Sequence, residues 1–392
     1  MRQPLNYRTR ILSSLSDVGA AAWDGLLASQ ADANPFLRFA FLDALHASGS
    51  AAADAGWQPQ FLTVWQQDTL VAAMPLYAKG HSYGEYVFDW AWANAYAQHG
   101  LDYYPKLLCA VPYSPVTGPR LLAGSGEDAS ALRNALIDAM QTETERRGWS
   151  SAHLNFATEA DAVALADGNW LARFDWQFHW HNVAGEHGGW RDFADFLDAL
   201  TPKKRKNIRQ ERERVARAGV RCEIRHGDEL DVPLWRAVHK FYLSTFAEKG
   251  NYPLLTLPFF RHLGHTLGQR VLVVLAWREH ELIAAALLLR SRDTLYGRYW
   301  GCREQVPGLH FEACYYQGID YCLRHGLSHF EPGAQGEHKL ARGFLPTLTR
   351  SFHYLADTRF RAAVRDALAR EADALRAYRD ELMAHSPYAQ SP

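Results

Sequence analysis

The stretch Glu331–Gly343 (EPGAQGEHKLARG) sets Glu337, His338, Lys339 and Arg342 among three glycines and a proline. Glycine permits positive φ and close backbone approach, so dense titratable groups on such a loop suit a site better than a core. His338, flanked by Glu337 and Lys339, is expected to titrate near neutrality. Glu337 or His338 would then take a proton from an attacking amine, while Lys339 and Arg342 steady the oxyanion. The competing reading is a polar loop that caps a sheet.

A second concentration of charge is Lys203, Lys204, Arg205, Lys206, Arg209, Arg212, Arg214 and Arg217, opposed only by Glu211 and Glu213. Thr201 and Pro202 signal a helix start, and Gly219 ends the run. Cations at a helix start oppose its dipole. Lys203, Lys204, Arg205 and Arg209 are therefore expected to grip phosphates of a donor or acceptor. A solvated charged face competes evenly with that expectation.

Three weaker signals follow. In LHFEACYY, His310 and Glu312 fall at a strand-to-helix turn, where Glu312 either steadies the first turn or touches substrate. In EYVFDWAWANAY, Asp89 and Trp90 would hold a cationic or amine group, unless Asp89 sits on a strand and faces solvent. His179, His181, Glu186 and His187 have metal-ligand chemistry, but 18 histidines make such pairs common and no H-E-x-x-H occurs. No metal is expected. No P-loop, Rossmann glycine pattern or G-x-S-x-G elbow occurs either.

These residues need a scaffold. The chain has 392 residues, 48% hydrophobic and 22% charged, with a net charge of −1. That composition supports a large folded core and argues against a global field for nucleic acid or lipid. Five cysteines without a C-x-x-C speak against a disulfide framework. No signal-peptide pattern opens the sequence and no apolar run reaches ~20 residues, so a cytoplasmic protein without a membrane span is expected.

The chain also repeats itself. FLTVWQQDTLVAAMPLY at Phe61–Tyr77 aligns with VVLAWREHELIAAALLL at Val273–Leu289, and Tyr83–Tyr86 then aligns with Tyr296–Tyr299. A helix and strand follow in each half: Ala129–Gly148 with Ser151–Phe156, and Phe311–Gly326 with Ser328–Glu331. The repeat predicts a mixed α/β protein with two similar domains, each a twisted sheet flanked by helices. The boundaries read 1–189 with an inserted loop near 94–128, linking helices over 190–219, and 220–392 ending in a helix over Thr358–His385.

Segments across nearly the whole chain resemble the Fem-like N-acyltransferases, which carry two tandem GNAT-type domains. They are Asn34–Leu45, Gly84–Tyr96, Lys106–Leu122, Lys203–Arg212, Tyr296–Cys302 (which contains Tyr299), Leu309–Cys322 and Phe330–Phe344. The resemblance implies transfer of an aminoacyl or acyl group to an amine, with charged tRNA or acyl-CoA as donor and no resident cofactor. Wider Fem relatives act on peptidoglycan precursors. GNAT domains that use acetyl-CoA carry a glycine-rich pyrophosphate loop before the helix. Gly301–Gly308 (GCREQVPG) lacks that pattern, and Pro307 removes an N–H. The alternatives are an acyl-CoA-dependent acetyltransferase of a small amine and a non-catalytic RNA- or precursor-binding protein. The sequence sets no oligomeric state.

Overall fold

The computed structural model describes residues 7–389, apart from 32, 125, 167, 183–188, 249, 251 and 335. Among the described residues no helix is long and apolar enough to cross a membrane. The chain forms two compact units that share it discontinuously: 1–175 with 348–376, and 176–347 with 377–392. The boundaries expected at 189 and 219 follow the chain in one pass. The observed division instead runs midway through two long strands and the terminal helix. A contiguous reading has no means of seeing such an exchange.

Unit 1 runs β1 (Arg8–Leu12), α1 (Ala20–Ala28), α2 (Phe39–Ala47), β2 (Trp57–Pro59), β3 (Phe61–Gln66), β4 (Thr69–Met74) and β5 (Leu76–Lys79). Then come α3 (Trp90–Gln98), β6 (Lys106–Cys109), α4 (Ala129–Arg146), β7 (Ser151–Leu154), α5 (Glu159–Leu165) and the first half of β8 (Leu171–His181). β3 and β4 form the expected hairpin, beside β1. A second sheet orders β2-β5-β6-β7 and closes on the far half of β14 (Leu345–Leu355). Its centre is the crossover β6-α4-β7, whose strands are parallel, and apolar residues such as Leu107, Leu136 and Leu154 pack between sheet and helix.

Unit 2 contains α6 (Phe193–Ala199), α7 (Pro202–Arg217), β9 (Val220–His226), α8 (Val232–Glu248), α9 (Leu257–Leu267), β10 (Val271–Arg278), β11 (Glu281–Arg290) and β12 (Thr294–Cys302). α10 (Leu309–Phe311) continues as a π turn over Glu312–Tyr316 into α11 (Gln317–His325), then β13 (His329–Glu331). The sheet order is β8-β13-β12-β11-β10-β9. β12-α11-β13 is again a parallel crossover. α11 lies so close that a Cβ on Gly318 would meet the Phe330 ring at 2.4 Å, which explains the small residue there. α12 (Thr358–Ala384) ends the chain's helices.

The α/β class and the duplicated order therefore hold, but one alignment does not. Tyr296–Tyr299 lies in β12, whereas Tyr83–Tyr86 is an irregular turn with positive φ at Gly84 and Tyr86. The matching strand of unit 1 is β6, reached only after an excursion over 80–105 that holds α3. Similar letters sat in the wrong place because the excursion precedes the third strand rather than following it.

Candidate functional site

The Glu331–Gly343 segment folds as the end of β13, a glycine-rich turn and one 3-10 helix over Glu337–Arg342. A 3-10 helix has three residues per turn, so consecutive side chains diverge by about 120°. Glu337, His338 and Lys339 accordingly point three ways. Glu337 is exposed and accepts a hydrogen bond from Tyr378 Oη. His338 Nε2 pairs with Tyr315 Oη at 2.8 Å. Lys339 turns inward, 2% exposed, and donates to the Gly333 carbonyl at 2.6 Å. Gln335 lies outside the described residues.

Environment separates their charge states. Burial, reinforced by Arg342 and Lys339, lowers the His338 pKa from its usual value, which favours neutral imidazole. Burial brings the Lys339 ammonium down to about 8. Arg342 is not available to an oxyanion. Its Nε and Nη2 contact Glu211 at 3.2 and 2.6 Å, Nη1 donates to the His338 carbonyl at 2.7 Å, and Phe311 lies under it at 3.3 Å. It is a clasp from the 3-10 turn to α7.

The basic helix divides in the same way. Ile208 and Val215 are buried, and Glu211 and Arg212 share that side of α7. Arg212 holds Glu312 through two contacts of 3.1 Å, and Gln317 adds a third at 2.8 Å. Glu312 is thus a buried anchor in the π turn, 6% exposed. Arg205 reaches back to the Asp198 and Leu200 carbonyls at 3.0 and 3.2 Å, capping α6 instead of opposing a dipole. Lys203 and Arg209 remain exposed and Lys204 half-buried, and among the described residues none of these three forms an ion pair.

His310 packs on Trp300, Phe311 and Tyr315. Tyr299 packs on Tyr242 and Phe260. In unit 1, Asp89 is not on a strand. It precedes α3 and is 2% exposed. Its Oδ2 accepts from Lys106 Nζ at 2.5 Å and Tyr103 Oη at 2.6 Å, so the amine it holds belongs to the protein. Trp90 is exposed, edge-on to Tyr83. His179 and His181 share a face of β8, their rings 6.2 Å apart. Glu186 and His187 lie outside the described residues, and among the described residues no cluster of His, Cys, Asp and Glu is arranged to hold a metal.

The sequence missed the edge that links these groups. β12 pairs with β13 only from Thr294/His329 to Tyr296/Glu331, then continues to Cys302 without a strand on that side. At Arg298 the register against β11 slips by one residue, a bulge that turns the strand away from β13. Pro332 follows Glu331 and brings no N–H. Pro332 lies against Gly297, and Thr245 of α8 donates to the Trp300 carbonyl at 2.6 Å, so the gap left along this edge is short, around Arg298 and Tyr299, with Glu331 and the Lys339 turn at its start. The bulge is invisible to a pattern that reads TLYGRYWGC as one regular strand.

These are tandem GNAT-type units. The chain belongs to the FemAB-like family, described as peptidoglycan biosynthesis/recognition, whose pattern matches residues 14–390. Solved structures agree in fold. A structure of FemX superposes with a TM-score of 0.53 at 10% identity, covering 88% of this chain and 98% of that one. L-PGS from Bacillus licheniformis gives 0.51 at 10% identity, covering 88% and 92%. The C-terminal domain of a putative lysylphosphatidylglycerol synthetase from Agrobacterium fabrum gives 0.52 at 12% identity, covering 89% and 94%. No curated protein sequence matches the chain.

Proposed function

We propose that the protein is an N-acyltransferase that moves an aminoacyl or acyl group from an activated ester to an amine on a cell-wall precursor, at the open edge of β12 in unit 2. The observation that carries this reading is the end of β12–β13 pairing at Tyr296/Glu331, a short gap beside which the buried Lys339 amine is held on the Gly333 carbonyl, itself next to Gly297. Donors fixed where an oxyanion forms lower the barrier without reorganising during the reaction. Lys339 is held by the Gly333 carbonyl beside that gap, and its charge suits the developing anion.

The donor favoured is aminoacyl-tRNA. The start of α10, where a CoA pyrophosphate would need free N–H groups, lies against α7: a Cβ on Gly308 would come within 3.0 Å of the Glu211 carbonyl. Glu312, in the first turn of that helix, already answers its dipole and is clamped by Arg212. Lys203, Lys204 and Arg209 supply cations for an RNA backbone.

The test offers bulk [14C]aminoacyl-tRNA or acetyl-CoA, each with a soluble precursor peptide bearing a free amine. Acceptor-dependent transfer from tRNA is expected. Transfer from acetyl-CoA alone would move the protein to the CoA-dependent class, and tight binding with no turnover of either would make it a binding protein.

A further inference from the structure

We propose that Glu331 is the residue that accepts the proton of the attacking amine. The inference rests on the acyl-transfer reading above and assigns its acid–base step.

Phe330 points into the core, so Glu331 and His329 occupy the opposite face of β13. Glu331 stands beside Tyr296 in the last pair of the parallel ladder, at the mouth of the gap. The residue is half-buried, yet its Oε2 is sealed from solvent and takes no hydrogen bond. An unpaired buried carboxylate oxygen costs the fold; Glu85 and Asp89 each carry one too but share the Lys106 ammonium, whereas at Glu331 the Arg298 charge offsets the cost only in part. The neighbouring acids are committed: Glu211 to Arg342, Glu312 to Arg212, and Glu337 to Tyr378.

The groups around Glu331 are few. β12 contributes Tyr296 and Arg298. β13 contributes His329, whose ring lies 4.9 Å from that of His181 on β8, with His179 beyond it. Lys339 acts on His179 from the 3-10 turn. Burial raises Glu331 to about 8, and Arg298 draws it back only in part. Burial also depresses His179 and His181, to about 3 and 4, so neither is cationic at neutral pH. A carboxylate poised near the working pH has the basicity that general-base transfer requires.

The step balances without a further reactant. The neutral amine attacks the ester carbonyl carbon, forming C–N, and the nitrogen gives one proton to Glu331. The tetrahedral intermediate collapses, the C–O bond breaks, and Glu331 returns that proton to the leaving oxygen. Amide and free hydroxyl are the products.

The experiment compares wild type, E331Q and E331D with bulk aminoacyl-tRNA and the precursor peptide, across pH 6 to 9. E331Q is expected to lower kcat by about 100-fold or more, with KM for the peptide within about threefold. The rise of wild-type kcat with pH, with its midpoint at about 8, is expected to vanish in E331Q. E331D should recover part of the rate. Should E331Q fail to fold, a wild-type sample labelled at glutamate carboxyl carbons serves instead, and a resonance titrating near 8 is expected. Full activity in E331Q, a loss confined to KM, an unchanged pH limb, or no such resonance overturns the assignment. Wild type inert with both donors overturns the transfer reading itself and this step with it.

Discussion

Both units carry a parallel strand pair joined by a helix, but they treat the gap beyond it differently. In unit 1 the gap after β7 is filled. Arg120 is fully buried and donates to the carbonyls of Asn155, Gly118 and Val116 at 2.9, 3.0 and 2.7 Å. Asp161 holds the Arg120 and Leu121 N–H groups and closes a capping box with Thr158 at the start of α5. In unit 2 the corresponding place, after β13, holds Glu331, whose Oε2 takes no hydrogen bond and whose charge Arg298 steadies only in part. A gap plugged by a buried guanidinium bonded to three carbonyls is scaffold. A gap left beside a buried carboxylate oxygen with no hydrogen bond has traded stability for chemistry.

Buried charge differs too. Unit 1 seals Lys106 with Glu85 at 2.8 Å and Asp89 at 2.5 Å, and all three lie inside. Burial opposes the Lys106 charge, but the two carboxylates outweigh it and raise its pKa. Burial likewise opposes ionised Asp89, and Lys106 outweighs that and lowers its pKa. Glu85, the looser partner, stays raised to about 7 because burial exceeds the pull of Lys106. One ammonium compensates one carboxylate well and the second poorly. Unit 2 spreads its charge over separate arginine–carboxylate clasps nearer the surface.

The largest effect expected is therefore at Lys106. Lys106→Met strands two carboxylates and should cost about 3–5 kcal/mol in urea unfolding. Restoring most of that loss with Glu85→Gln and Asp89→Asn would show that the pair, rather than the lysine, sets the cost. Arg120→Met should follow at about 3 kcal/mol, since it leaves buried carbonyls unpaired. A loss under about 1 kcal/mol would break the contrast between plugged and open gaps.

Glu331 sharpens that contrast with the opposite sign. Its folded pKa lies above that of a free glutamate, so the folded state keeps a proton that the unfolded chain has released. Stability then falls as pH rises from about 4.5 to about 8. E331Q should remove that slope and make the protein more stable at pH 8, as read by urea midpoints. A less stable E331Q at pH 8 would show the carboxylate to be structural. The smallest effect is Thr158→Ala, about 1 kcal/mol from loss of the capping box, measured by thermal melting.

Legibility tracked how local each feature was. The helices at 129–146 and 202–217, the hairpins at 61–74 and 271–290, and the helix-then-strand step in each half follow from periodicity and from glycine after a helix, as at Gly326 with φ 67°, whereas β6 was hidden in the segment read as an inserted loop near 94–128. The Glu331–Gly343 segment was recognisable as a site candidate because glycines and titratable groups were dense there. Its internal division was not, because a 3-10 turn gives each neighbour a different direction. Arg342 and Glu312 read as substrate contacts only because their partners, Glu211 and Arg212, are 131 and 100 residues away. Asp89 read as a carboxylate awaiting an amine, and Lys106 arrives from the next strand to fill it.

The sequence by itself therefore determined the α/β class, the duplicated order of elements and the places where charge concentrates. All of these are written in residues close along the chain. Tertiary structure alone decided which charges are spent on one another and which edge stays open. It also decided where the two units exchange chain. Those outcomes depend on partners far apart in sequence and on a one-residue bulge at Arg298, whose cause is the strand pairing around it.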